Sequence, residues 1–240
     1  MNYTVQVNEV KNTDGNIRAF ANVVFGECFK ITNIAILENK EKGQLFVSMP
    51  RYRSSQRNED NEPVYKDVCN PITKEFREEL YSSILQAYEN VKNQTGEKQV
   101  GKADNGKVEG QDITGFEFSV SVTVFERDES DIKGIARIFI EDCFVINNVT
   151  IIQGKDNLFV AMPSYKTKKV DVNNKPIYQD VSYPITKEFR EVLFLEILEK
   201  YARAKDKTVN DATEEKKFNS TQKYDNPKQQ EEQNVIEPSR

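Results

Sequence analysis

Tyr3, Val5 and Val7 alternate with polar residues, and Phe118, Val120 and Val122 do the same. A period of two marks a half-buried strand, so each stretch predicts one. Asn12-Thr13-Asp14-Gly15 then supplies turn chemistry, because Asp-Gly accepts the positive φ of a tight hairpin. Ile17 to Phe25 and Ile132 to Ile140 read as second strands, and Gly26-Glu27 and Glu141-Asp142 turn the chain into third ones. In the third strands the pattern changes phase. Phe29 and Ile31 share one parity while Ile34 and Ile36 have the other, and Phe144, Ile146, Val149 and Ile151 repeat the shift. A bulge or bend near Asn33 and Asn148 would return each set of four to one face.

Fourth strands, Leu45 to Met49 and Leu158 to Met162, end at Pro50 and Pro163. A polar arm follows each, then a short extended segment at Val64 to Val68 or Ile177 to Val181. Thr73 and Thr186 are placed to cap helices, with Glu75 and Glu188 favouring the positive end of the dipole. Phe76, Leu80, Ile84 and Tyr88 recur every four residues and predict an apolar stripe. The second helix adds Val192, Phe194, Leu195 and Leu198, which predicts two buried faces, one of them against another copy or subunit.

These elements form a repeat. Leu45-Phe46-Val47-Ser48-Met49-Pro50 returns as Leu158-Phe159-Val160-Ala161-Met162-Pro163, and Pro71 to Glu78 returns unchanged as Pro184 to Glu191. The offset is 115 residues before the loop at about 38–44 and 113 after it. The expected architecture is α+β: two tandem copies, each a small antiparallel sheet with a C-terminal helix packed on it. The copies occupy residues 1–91 and 116–204. Residues 92–115 are rich in Gly, Lys, Asn, Gln and Asp and predict a flexible linker. Residues 205–240 are polar, lack periodicity and predict a disordered tail.

Hydrophobic residues make up 37% and charged residues 30% of the 240, which fits a chain with length to spare outside its cores. No apolar run approaches the roughly 18 residues of a membrane span. The first residues lack the basic region and apolar stretch of a secretory signal, so the expected location is the cytoplasm. On such a chain the sequon at Asn148-Val149-Thr150 is accidental. Three cysteines cannot complete a disulfide set and lack metal-ligand spacing, so Cys28 and Cys143, at equivalent places, read as small apolar residues kept reduced. The chain has no histidine, Gly-rich phosphate loop, nucleophile elbow or cysteine cluster. It therefore reads as a non-enzyme without a cofactor.

Asn12-Thr13-Asp14-Gly15, Arg18-Ala19-Phe20-Ala21, Leu45 to Pro50, Asp67 and Pro71-Ile72 resemble the stage V sporulation protein G (SpoVG) family. Leu158 to Ser164, Asp180 and Pro184-Ile185 carry the resemblance in the second copy. It implies a bacterial regulator linked to septation and sporulation that dimerises and binds nucleic acid. The basic pair that follows Met-Pro-Ser in that family falls on Tyr165 and Lys166, and in the first copy on Tyr52 and Arg53, with Arg51 in place of the serine. The second copy departs from the family turn with Asp128-Glu129-Ser130.

Binding nucleic acid needs cations where phosphates pass. The first arm offers Arg51, Arg53 and Arg57, and the second offers Lys166, Lys168, Lys169 and Lys175. Tyr52 and Tyr165 stand beside these charges and could stack on bases. Lys74, Arg77, Lys187 and Arg190 would extend the surface. The competing reading makes the arms solvated loops and the chain a protein-interaction module that kept the fold and lost the binding. Residues 1–91 carry 11 basic and 13 acidic side chains, and residues 117–204 carry 12 and 14, so any binding comes from local patches. The acids Glu59, Asp60 and Glu62 dilute the first arm, and the second is expected to contribute more. Expected partners are DNA or RNA, and either the other repeat or a second chain. Two tethered copies can pair at high effective concentration, across a linker of at most about 80 Å.

Overall fold

The computed structural model describes residues 1–11, 15–93, 101–105, 116–125 and 129–221. In the first copy β1 (Tyr3–Glu9), β2 (Ile17–Phe25), β3 (Phe29–Asn39) and β4 (Gln44–Ser48) form an antiparallel meander. An arm of β5 (Arg51–Arg57) and β6 (Pro63–Asp67) follows, then β7 (Cys69–Pro71) and α1 (Lys74–Asn93). A further strand, β8 (Gly101–Asn105), pairs with the free edge of β1. The second copy repeats the order as β9 (Phe118–Val124), β10 (Ile132–Ile140), β11 (Phe144–Gln153), β12 (Leu158–Ala161), β13 (Ser164–Val170), β14 (Pro176–Asp180), β15 (Ser182–Pro184) and α2 (Lys187–Thr221). The chain is α+β in two tandem copies, as its patterning predicts.

The phase change in the third strands is a bulge. Thr32 and Asn33 stand opposite Asn22 alone, and Asn33 takes the left-handed conformation at φ 61°; Asn148 does so at φ 58°. Asparagine tolerates that region better than most residues. The bulge also divides the strand edge between two partners. Beyond it, Ala35 to Asn39 pair with β4 of the same copy. Before it, Phe29 to Ile31 pair with β15 of the other copy. The second copy is the mirror case, with Phe144 to Ile146 on β7 and Thr150 to Gln153 on β12. Each copy thus lends a three-residue strand to the other, and the two sheets close into an intramolecular pseudo-dimer.

Hydrogen bonds around the exchange repeat with the same symmetry. The Ile72 amide donates to Cys143 and the Ile185 amide to Cys28, each at 2.8 Å; Asn147 donates to Val68 and Thr32 to Val181, each at 2.7 Å. Side chains pack across the same seam. Phe25 lies 5.0 Å from Phe144 between ring centroids, and Phe76 of α1 meets both. On the other side Phe189 of α2 meets Phe29 of the first copy and Phe116 and Phe118 of the second. One continuous buried cluster results. Both helices begin as expected, with the Thr73 and Thr186 hydroxyls accepting from the amides of Phe76 and Phe189 at 3.3 Å. The stripe Phe76, Leu80, Ile84 and Tyr88 is buried, as are its counterparts Phe189, Leu193, Ile197 and Tyr201.

Two expectations meet a different outcome, and the exposed side of α2 has no cover among the described residues. Val192 and Leu195, expected on a face of α2 that meets another copy or subunit, are 55% and 59% exposed, and no described residue covers them. The helix also runs on to Thr221, past residue 205, where the pattern puts the start of the polar tail. It contains no Gly or Pro over Lys187–Thr221, and Glu196–Lys200 and Glu199–Arg203 pairs support its exposed side. Within the stretch read as linker, β8 adds a strand to the sheet because β1 offers unpaired backbone groups at its outer edge. Most of residues 92–115, the turn residues 12–14 and the end of the tail lie outside the described residues.

The turn between β2 and β3 has Gly26 at φ 52° and Glu27 at φ 56°, and Glu141 and Asp142 repeat it at φ 44° and 49°. Two successive left-handed residues match the twist of a hairpin. Glu141 shows that the conformation alone does not demand glycine. At Gly26 a Cβ would also run into the Phe116 ring, which enters from the second copy. Gly26→Ala is therefore expected to lower stability by about 1–3 kcal/mol, read as a drop in the urea midpoint. Glu141→Gly should leave the midpoint the same or slightly higher.

Burial raises the Cys28 thiol from an ordinary 9.0 to about 12 and the Cys143 thiol to about 11, and pushes Cys69 up further. A group whose folded pKa is raised adds stability that is complete below its unfolded pKa and is lost as pH rises through the folded one. The window here runs from about 9 to about 12. The urea midpoint should hold steady from about pH 7 to 9 and fall steadily above it; a flat midpoint between about pH 8 and 11 would contradict these assignments.

Candidate nucleic-acid interface

The segments after each Met-Pro fold as two-stranded ribbons that leave the sheets. In the first arm Arg51, Tyr52 and Arg53 lie opposite Asp67, Lys66 and Tyr65; in the second Ser164, Tyr165 and Lys166 lie opposite Asp180, Gln179 and Tyr178. Both ribbons bulge at the same place. Ser54 to Gln56 stand opposite Val64, and Thr167 to Lys169 opposite Ile177. The extra residues on the second arm therefore include two lysines where the first arm has Ser55 and Gln56.

The arms differ in how free their cations are. On the first, Arg51 Nε holds Asp67 Oδ1 at 2.9 Å and Arg57 donates to the Asn61 carbonyl at 2.6 Å. Only Arg53 of the three is left without a partner among the described residues. On the second arm Lys166, Lys168, Lys169 and Lys175 are exposed, and none forms an ion pair with a described residue. The nearby acid, Asp171, accepts from the amides of Asn173 and Lys175 at 2.8 Å and so shapes the turn. This arrangement favours the second arm for phosphate contact.

Aromatic groups complete the ribbons. Tyr165 donates to Gln179 Oε1 at 2.9 Å and stays exposed, while Tyr52 is half-buried and lines a cavity against the second copy. Tyr65 and Tyr178, 58% and 62% exposed, sit directly across from Arg53 and Lys166. Sequence reasoning passed over this pair, although the match of Pro63-Val64-Tyr65 with Pro176-Ile177-Tyr178 marks them as equivalent. The four helix cations are exposed, and each also has a partner within its own copy. Arg77 and Arg190 donate to the carbonyls of Pro71 and Pro184 at 3.1 and 3.3 Å, which pins the exchanged strands to the helix starts. Lys74 and Lys187 point to solvent beside Glu78 and Glu191, each pair at 3.8 Å.

Each arm is rooted on the opposite copy. The Thr32 hydroxyl donates to the carbonyls of Asp180 and Val181 at 3.2 and 3.1 Å, and the Asn147 amide donates to that of Asp67 at 3.3 Å. The bulge of one copy therefore fixes where the arm of the other leaves the body. Burial raises the Asp180 carboxyl, and Arg190 opposes the rise.

This architecture has relatives. The family model for SpoVG matches residues 1–90 and 117–203. The chain belongs to the SpoVG family. It carries two SpoVG units in tandem, with the matched segments coinciding with the two structural copies. A protein of Phytoplasma australiense named "Putative septation protein SpoVG" is 38% identical over 87 residues, covering 84% of that protein and 36% of this chain. Proteins of the same name from Treponema denticola and Caldicellulosiruptor saccharolyticus are 38% and 34% identical over 74 residues, covering 73% and 77% of their lengths. These SpoVG relatives are each about one copy long, so the tandem arrangement sets this chain apart from them. No helix of the described residues is long and apolar enough to cross a membrane.

Proposed function

We propose that this tandem SpoVG chain is a cytoplasmic, non-enzymatic regulator that binds DNA or RNA through its arms and acts in septation or in control of gene expression. The observation that carries the reading is the second arm, where Lys166, Lys168, Lys169 and Lys175 stand exposed beside Tyr165 and Tyr178 with no ion pair to a described residue. Cations of that kind attract phosphates, and the tyrosine rings offer faces on which bases can stack. The septation names of the relatives support the regulatory half of the reading.

A second reading, a protein-interaction module, is favoured by the exposed Val192 and Leu195 on α2 and by the net charge of −5. Fluorescence anisotropy of labelled single strands and duplexes separates the two. The regulator reading expects binding at low salt that weakens at least tenfold between about 50 and 200 mM salt. Absence of binding at the lower salt would overturn it and leave the interaction module.

A further inference from the structure

The two copies are alike in backbone, yet the space under each arm differs in chemistry. A cavity of about 570 Å³ lies between the first arm and the second copy's sheet. Its walls come from both copies: Tyr52, Lys66 and Asn70 on one side, Phe125, Arg137 and Asn148 on the other. Lys66 and Arg137 form no ion pair with another described residue. Asp67 also lines the space, but Arg51 holds its carboxylate at 2.9 Å. At the repeat-equivalent positions under the second arm, Gln179 replaces Lys66 and Asn22 replaces Arg137. The pair of cations thus belongs to one groove of the two.

We propose that this groove between the copies takes an unpaired nucleic-acid strand, with Lys66 and Arg137 on its phosphates and Tyr52 and Phe125 against its bases. The inference rests on the nucleic-acid reading above and adds a second contact region and a preference for single strands. Size supports it, because a space of this volume holds a small ligand and cannot admit a duplex. The lining supports it too. Unstacked bases are recognised by aromatic faces and by amides that meet their hydrogen-bonding edges, and Asn70 and Asn148 offer such amides. The groove needs both copies, because the first arm is rooted on the second copy through Asn147 and the β7–β11 pairing.

The test uses the full chain and a labelled 12-nucleotide single strand, with a duplex of the same sequence for comparison. Lys66→Gln with Arg137→Asn gives this groove the residues of the other. The variant should bind the single strand at least tenfold more weakly, lower the log–log salt slope by about 1.4, and bind the duplex within about twofold of the parent. The reciprocal variant, Asn22→Arg with Gln179→Lys, should bind the single strand more tightly. Irradiating a bromodeoxyuridine strand should place adducts on Tyr52 or Phe125. If the parent binds and these changes leave affinity and slope alone, or adducts fall on the arms alone, the groove assignment is overturned while the arm reading stands. If the parent binds neither nucleic acid, both fall.

Discussion

Changing Lys166, Lys168 and Lys169 together to Glu is expected to remove measurable binding to nucleic acid at moderate salt while leaving the fold unchanged. All three side chains are exposed and none is tied to an acid among the described residues, so the folded state loses no contact. Exposed substitutions of this kind shift stability by about 0.5 kcal/mol or less. Binding responds differently. Each lysine that neutralises a phosphate on duplex DNA contributes about 0.9 to the log–log salt slope, so three contribute nearly 3. Reversing them also adds repulsion at the same place. The matching change on the first arm, Arg51, Arg53 and Arg57 to Glu, should cost far less affinity, because Arg51 and Arg57 already serve Asp67 and the Asn61 carbonyl. Equal losses from the two arms would show that the distinction between free and engaged cations is mistaken.

Phe144→Ala is expected to lower the stability of the whole chain by about 3–5 kcal/mol, the usual range for emptying a buried aromatic site. Phe144 is fully buried, lies 5.0 Å from Phe25, and begins the stretch of β11 that receives β7 from the other copy. Its loss opens a cavity at the seam that both copies share. Domains are stable by only about 5–15 kcal/mol, so a large part of the total is at stake. Phe159→Ala, a ring of the same kind that is 48% exposed, serves as the control and should cost less than about 1 kcal/mol. Urea unfolding followed by circular dichroism reads both. Two separate transitions in the parent, with Phe144→Ala shifting just one, would contradict a shared core.

Much of this architecture can be read from residue order alone. Period-two stretches gave the strands, the four-residue stripe gave both helices, and the parity change at Asn33 and Asn148 located the bulges that φ angles of 61° and 58° bear out. What the bulge does could not be read. It divides an edge between two partners, and the exchanged strands Cys69–Pro71 and Ser182–Pro184 are three residues long, too short for any periodicity. Their pairing depends on groups more than 70 residues away along the chain.

The arms posed a related difficulty. The second arm is exposed on nearly every residue, and within β5 of the first only Tyr52 and Ser54 are half-buried, so neither arm carries an apolar alternation. Their cations were visible as sequence. The engagement of Arg51 by Asp67, the inward turn of Tyr52 and the placing of Tyr65 and Tyr178 across from Arg53 and Lys166 all follow from strand register. Arg77 and Arg190 are surface cations as their sequence suggests, and their bonds to the Pro71 and Pro184 carbonyls come from the fold alone.

The pairing of the two copies within one chain underlies the rest of the account, since it roots both arms and forms the groove between them. Sedimentation equilibrium of the full chain at micromolar concentration tests it most directly. A mass of 27.7 kDa, independent of concentration, is the predicted result. A mass of roughly twice that value, with strands exchanged between chains instead of within one, would contradict it.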